Sequence, residues 1–234
     1  MSGSTFFQPV DISKTALVLS DVQDEIYGRM PVKDQERYST NVLKLLTGFR
    51  KEIKERARGA QGPAYRGVPL IVHALAPFNW NSNAFLSPSN KLLSVFVGGL
   101  QKKGLLPSAG SEPLTSASPF TGPAIPTALR PNEGFSAHEI VVNHLRPSAY
   151  SGTDLRVYLR SRGIEHVVLC GLTTSGTILS TALGMGDDDW HVIIPREGCW
   201  DDDEKVSKML LDKVLTRWAD VCDSKDVLGL IASE

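Results

Sequence analysis

Short, continuous apolar runs alternate along this chain with stretches whose apolar positions fall three and four residues apart. A run from Thr15 closes on Asp21, and further runs cover 68–75, 140–144, 167–170, 190–195 and 219–222. Runs of this length without polar alternation fit strands buried on both faces. Between them, helical spacing places Val42, Leu45, Leu46, Phe49 and Ile53 on one face, with the helix drawn over 38–57. Leu92, Leu93, Phe96, Val97 and Leu100 mark a second helix, and Leu155, Tyr158 and Leu159 a third, for which Thr153 is a suitable N-cap. Ile178, Thr181, Ala182 and Met185 mark a fourth, and Val206, Met209, Leu210, Val214 and Trp218 a last long one. Strands alternating with helices predict an α/β fold: three α/β/α layers around a mostly parallel six-stranded sheet, Rossmann-like.

With 234 residues, 41% of them hydrophobic, the chain suits one domain over 15–234 behind a loosely held arm, 1–14. Residues 105–139 lack periodicity and carry six prolines, which reads as a lid or a partner-contact loop. The apolar side chains of 105–135 lead us to expect a homodimer or higher homo-oligomer. A net charge of −1 gives no electrostatic case for nucleic acid or an anionic membrane. No apolar run approaches the ~20 residues that span a bilayer, and no leader pattern is visible at the N-terminus. Three cysteines, Cys170, Cys199 and Cys222, are odd in number and far apart, as reduced thiols of a cytoplasmic protein would be.

The chemistry concentrates in three places. The strand at 167–170 runs into Gly171-Leu172-Thr173-Thr174-Ser175-Gly176-Thr177 and then a helix, so helical amides and the positive end of the dipole sit at the carboxyl edge of the sheet. The first strand ends on Asp21, with Gln23 two residues on. A middle strand ends on His144, followed by Ser148-Ala149-Tyr150 and Gly152-Thr153-Asp154-Leu155. In a parallel sheet all three follow strand carboxyl ends, which is where ligands bind.

Taken in order, these motifs resemble the isochorismatase-like hydrolases, also called cysteine hydrolases. In that family an Asp closes the first strand, a Lys the middle strand, and a nucleophilic Cys lies six residues after the Gly of the last turn. The matching positions here are Asp21, His144 and Thr177, so the chain reads as a divergent form that keeps only the acid. A threonine hydroxyl is a far poorer nucleophile than a thiol at neutral pH. The isochorismatases proper also lack the Cys and are understood to protonate a vinyl ether with the strand-one acid while water attacks. His144, with an unperturbed pKa of about 6.5, suits general-base work.

The resemblance implies a non-proline cis peptide between Leu172 and Thr173, and an oxyanion site among the amides of Leu172, Thr173 and Gly176. Gln23, Phe78, Trp80 and Tyr150 are the candidate substrate-binding residues. No cofactor is expected, and no metal: His73 closes the second strand without an Asp-x-His pair beside it, and the acidic runs at 187–189 and 201–204 suit solvated turns and helix caps. Cys170 is expected to be buried and inert, whereas Cys199 follows a strand end and could approach the cleft. Two functions fit: an enzyme acting on a small organic molecule by metal-independent acid/base chemistry, or a catalytically silent binding protein that keeps the fold. An open polar pocket around Asp21 would favour the first, and a filled one the second.

Overall fold

In the computed structural model, which describes residues 6–58, 66–77, 87, 89–102, 124–132 and 134–232, the apolar runs pair into one sheet. The chain passes through β1 (Thr15–Ser20), a single turn α1 (Asp24–Tyr27), the long α2 (Val32–Ala57) and β2 (Leu70–Leu75). It continues through α3 (Lys91–Lys102), β3 (Glu139–Asn143), α4 (Leu155–Arg162), β4 (His166–Leu172) and α5 (Leu179–Gly186). Then come β5 (His191–Pro195), a two-residue β6 (Cys199–Trp200), α6 (Glu204–Met209), β7 (Asp220–Cys222) and α7 (Ser224–Ala232).

The strand order is β3-β2-β1-β4-β5-β7, with every pairing parallel. The seventh strand, β6, was not anticipated. β5 pairs with β4 only over His166–Val168, and β6 takes the vacated far end, opposite Gly171 and Leu172. Two residues are too few to leave a hydrophobic pattern.

β1, β2 and β4 are buried at every position because helices cover both faces. Leu17, Leu19, Ile71, Val168 and Ile193 pack against Val42, Leu45, Leu46 and Phe49 of α2 and Val227 and Ile231 of α7. Ala16, Val18, Val72, Leu169 and Ile194 face the other way, onto Leu155 and Leu159 of α4 and Ala182 and Met185 of α5. Fully burying a Leu or Phe contributes about 1.5–3 kcal/mol, so the two faces of the sheet supply most of the drive to fold.

Several elements differ from expectation for identifiable reasons. α2 begins at Val32 rather than Tyr38, because its first turns face solvent and, apart from the exposed Val32, are polar. The arm is held over its described part: Ile12 is buried, and Phe6 and Val10 pack against the α2-side core. Met209 and Trp218 are exposed. After α6 the helix widens into a π turn over Leu210–Val214, which shifts the buried face to Leu210, Leu211 and Leu215. Leu155 N is capped by Thr153 Oγ1 at 3.2 Å, although Asp154 is the residue at the boundary. Of the long proline-rich segment, 105–123 lies outside the described residues. Its later part packs inward, with Ile125 and Leu129 buried against the α2-side core and Arg50 donating to Leu129 O at 2.9 Å. Among the described residues, no helix is long and apolar enough to cross a membrane.

The chain adds β2 and β3 on one side of β1 and then returns to place β4 on the other. The carboxyl ends of β1 and β4 therefore flank the switch in strand order, where α/β sheets open a crevice.

Candidate active site

The ends of β1 and β3 both lean on β2, and this brings Asp21 and His144 together. Asp21 N donates to Ala74 O at 2.8 Å, and His144 N donates to Leu75 O at 3.0 Å. Asp21 has φ 59°, a left-handed conformation that Asp tolerates better than most residues and that turns the chain off the strand. Gln23 stabilises this turn. Its side-chain oxygen accepts from Ala76 N at 2.8 Å, and its nitrogen donates to Ala76 O at 2.9 Å and to Glu25 Oε2 at 3.0 Å. The side chain thus mimics a neighbouring strand and extends the β1–β2 pairing past Ser20.

His144 is buried, with its Nε2 3.0 Å from Asp21 Oδ1. The approach lies off the line of a good hydrogen bond. On the far side of the ring, Nδ1 lies 2.7 Å from Arg146 O. A carbonyl only accepts, so Nδ1 carries a proton and Nε2 is the nitrogen that faces the acid. Burial disfavours the imidazolium, but the charge of Asp21 and the carbonyl of Arg146 favour it more, and the His144 pKa lies above the usual histidine value. Two buried groups this close, one basic and one acidic, are electrostatically coupled.

The third part comes from β4. Gly171 permits its close approach to β1: a Cβ there would sit 2.3 Å from Ser20 O. The Leu172–Thr173 peptide is cis, as the resemblance implied. Thr174–Ile178 then forms a π turn at the head of α5, with Ile178 N donating to Thr173 O at 3.3 Å. Gly176 N also donates to Thr173 O, at 3.2 Å, and Ser175 N donates to Asp201 Oδ2 at 2.7 Å. The Gly176 amide assigned to an oxyanion is therefore already engaged within the turn. Thr177 is buried, and its Oγ1 lies 2.5 Å from Ser20 Oγ.

These parts open onto one cavity of about 650 Å³. Asp21, His144, Thr177, Leu172, Thr173 and Gly176 all line it. Ile26, Leu93 and Phe96 supply an apolar wall, and Arg29, Asp201 and Asp202 a charged one. Arg29 pairs with Asp202 and lies over the Phe96 ring, its guanidinium 5.1 Å from the centroid. Burial lowers its pKa from the usual arginine value.

Two expected substrate-binding residues are elsewhere. Gln23 is fully buried in its bracket with Ala76 and does not reach the cavity. Tyr150 points into the α4–α5 side, where its hydroxyl accepts from Trp190 Nε1 at 2.7 Å and pairs with Asp188. Both follow strand ends in sequence, but the direction of the side chain decides which side of the sheet they serve. Phe78 and Trp80 lie outside the described residues. Ser20 and Arg29 were not among the candidates, and Asp201 and Asp202 were expected in solvated turns and helix caps rather than at the cavity. Only the first had a usable signal, as a polar residue closing an otherwise apolar strand.

The cysteines stay out of this chemistry. Cys170 is fully buried, and burial pushes its thiol pKa well up; the same cause raises Cys199, and takes Cys222 to about 12. Thiols so shifted are poor nucleophiles. His73 binds Glu139 Oε1 at 2.8 Å, in a buried cluster completed by Arg50. Among the described residues, no group of three or more His, Cys, Asp or Glu side chains is placed to hold a metal ion.

Comparison with known proteins gives a consistent answer. The isochorismatase family protein YwoC of Bacillus subtilis (strain 168) is 27% identical over 173 residues, which cover 74% of this chain and 70% of that one. The maleamate amidohydrolase of Pseudomonas putida (strain KT2440) is 28% identical over 92 residues, 39% of this chain and 43% of that protein. This chain spans less than half the length of two of the curated relatives it matches. The cysteine hydrolase from Pseudomonas syringae pv. phaseolicola 1448A has the same fold, with a TM-score of 0.67 at 19% identity over 100% of this chain and 99% of that one. The isochorismatase domain itself matches residues 107–226, just over half of the sequence, which includes the His144 strand end and the whole turn to Thr177. On that match, together with the shared sheet, the chain belongs to the isochorismatase family.

Proposed function

We propose that this family member is a hydrolase-like enzyme acting on a small organic molecule by metal-independent acid/base chemistry, with Asp21 and His144 as the proton-handling pair. The observation that carries the reading is the cavity lined by that buried pair, His144 Nε2 3.0 Å from Asp21 Oδ1. A silent relative has no need to keep two ionisable groups desolvated and facing a space large enough for a small molecule.

The proton bookkeeping follows from the tautomer. His144 Nδ1 keeps its proton and donates it to Arg146 O, so only the Nε2–Asp21 side exchanges protons with a bound molecule. In a hydrolysis the pair takes a proton from an attacking water as the new C–O bond forms. It then returns a proton to the leaving nitrogen or oxygen as that bond breaks. In an elimination or rearrangement the same pair moves a proton between two atoms of the substrate. The positive end of α5, with the preceding turn, offsets negative charge that develops beside Leu172 and Thr173. The apolar wall of Ile26, Leu93 and Phe96 excludes water from the rest of the molecule.

The test is a panel of small amides, carbamoyl compounds, esters and vinyl ethers, assayed with wild type and Asp21→Asn. Removing a general acid/base lowers turnover by about 10²–10⁴-fold, with the fold retained by circular dichroism. A turnover that survives Asp21→Asn overturns the reading. The same holds for turnover that depends on Cys199.

A further inference from the structure

The hydroxyl pair between β1 and the head of α5 has a direction, and the direction gives Thr177 a role. Ser20 and Thr177 bring two hydroxyl protons to one 2.5 Å contact. One proton lies in the contact, and the other must find an acceptor elsewhere. Ser20 is fully buried, does not line the cavity, and its Oγ has no described partner besides Thr177. If Thr177 donated to Ser20, the Ser20 proton would be stranded in the interior, a costly arrangement. If Ser20 donates, the remaining proton belongs to Thr177, which lines the cavity.

We infer that Ser20 donates to Thr177 Oγ1 and that Thr177 thereby becomes a hydrogen-bond donor aimed at a carbonyl, carboxylate or ether oxygen of the bound molecule, not a nucleophile. Ser20 is then a positioning residue. A hydroxyl that accepts a short bond is a stronger donor in turn, and the bond ties the end of β1, which carries Asp21, to the turn that follows β4. The inference deepens the acid/base reading of the same cavity, since it supplies the group that holds the substrate oxygen while the Asp21–His144 pair moves the proton.

The test needs no substrate. In the full-length Thr177→Cys protein the introduced thiol reports on what is donated to position 177, and its iodoacetamide alkylation is followed across pH by peptide mass spectrometry. A Ser20 donor stabilises the thiolate, so adding Ser20→Ala raises the apparent thiol pKa and slows alkylation at pH 7 by about tenfold. Ser20→Thr, which keeps the hydroxyl, restores the rate. A pH profile unmoved by Ser20→Ala overturns the inference. Adding Asp21→Asn separately reports on the acid/base reading: a profile that responds to Ser20→Ala but not to Asp21→Asn keeps the donor and removes that reading, and the opposite pattern removes the donor alone. Because a thiolate can only accept, the direction in wild type is decided by proton NMR of protein labelled with ¹³C at serine and threonine Cβ. The shared hydroxyl proton couples to Ser20 if the inference holds, and to Thr177 if it does not.

Discussion

Replacing Gln23 with leucine keeps the volume of a fully buried side chain but deletes the bracket that holds the ends of β1 and β2. Two backbone groups, Ala76 N and Ala76 O, then lose their partners at a residue that is only 7% exposed. Each stranded buried group costs about 1–3 kcal/mol, and the extra apolar burial of leucine offsets part of that, leaving a loss of about 3 kcal/mol. For a domain of this size each kcal/mol lowers the midpoint by about 2–4 °C, so scanning calorimetry should show a fall of about 6–12 °C. Gln23→Glu keeps the acceptor for Ala76 N but sets a buried carboxylate against Ala76 O and Glu25, and should be at least as destabilising as leucine. A leucine variant that melts within about 2 °C of wild type would mean that the bracket does not hold these strand ends, and the placement of Asp21 would need another cause.

Gly171→Ala puts a methyl group 2.3 Å from Ser20 O, which is backbone and can yield only if β1 and β4 separate; urea denaturation should show a loss of about 1–3 kcal/mol or more, and an unchanged midpoint would refute the close approach. Arg50→Met leaves the buried Glu139 with His73 as its only described side-chain partner. Burial raises the Glu139 pKa, but His73 and Arg50 together hold it below the usual glutamate value, so this stability is present above about pH 4.5 and is lost as pH falls through the depressed pKa. The variant should therefore unfold in acid at a higher pH than wild type. Native protein at pH 7 should resist iodoacetamide at Cys170, Cys199 and Cys222, all three becoming reactive after denaturation; rapid native labelling of any of them would contradict the raised thiol pKa values.

The sheet was legible because β1, β2 and β4 are covered on both faces, which forces continuous apolar runs that a helix of similar length would not need. The convergence of Asp21, His144 and the turn to Thr177 was legible for a related reason: parallel strands deliver their carboxyl ends to one edge. Side-chain direction was not. Gln23 and Tyr150 follow the right strands, yet one folds back onto Ala76 and the other into the α4–α5 layer. The Ser20–Thr177 contact joins residues 157 positions apart, and its meaning depends on a distance that no local pattern encodes. The end of the chain misled because a π turn after α6 breaks the 3.6-residue period on which the helical reading rests.

The protonation state of His144 is the most direct test of the proton-sharing pair. In ¹⁵N-histidine-labelled protein, the His144 ring nitrogens report on it across pH without any substrate. Burial alone would lower its pKa, and Asp21, by its charge and its closeness, together with the carbonyls of Arg146 and Ala74, raises it above the usual histidine value. Wild-type His144 should therefore stay doubly protonated past pH 6.5 and lose its Nε2 proton only at higher pH, while in Asp21→Asn the titration should move to clearly lower pH. If His144 titrates below 6.5 in wild type, or identically in the two proteins, no proton is shared with Asp21 and the proposed chemistry fails.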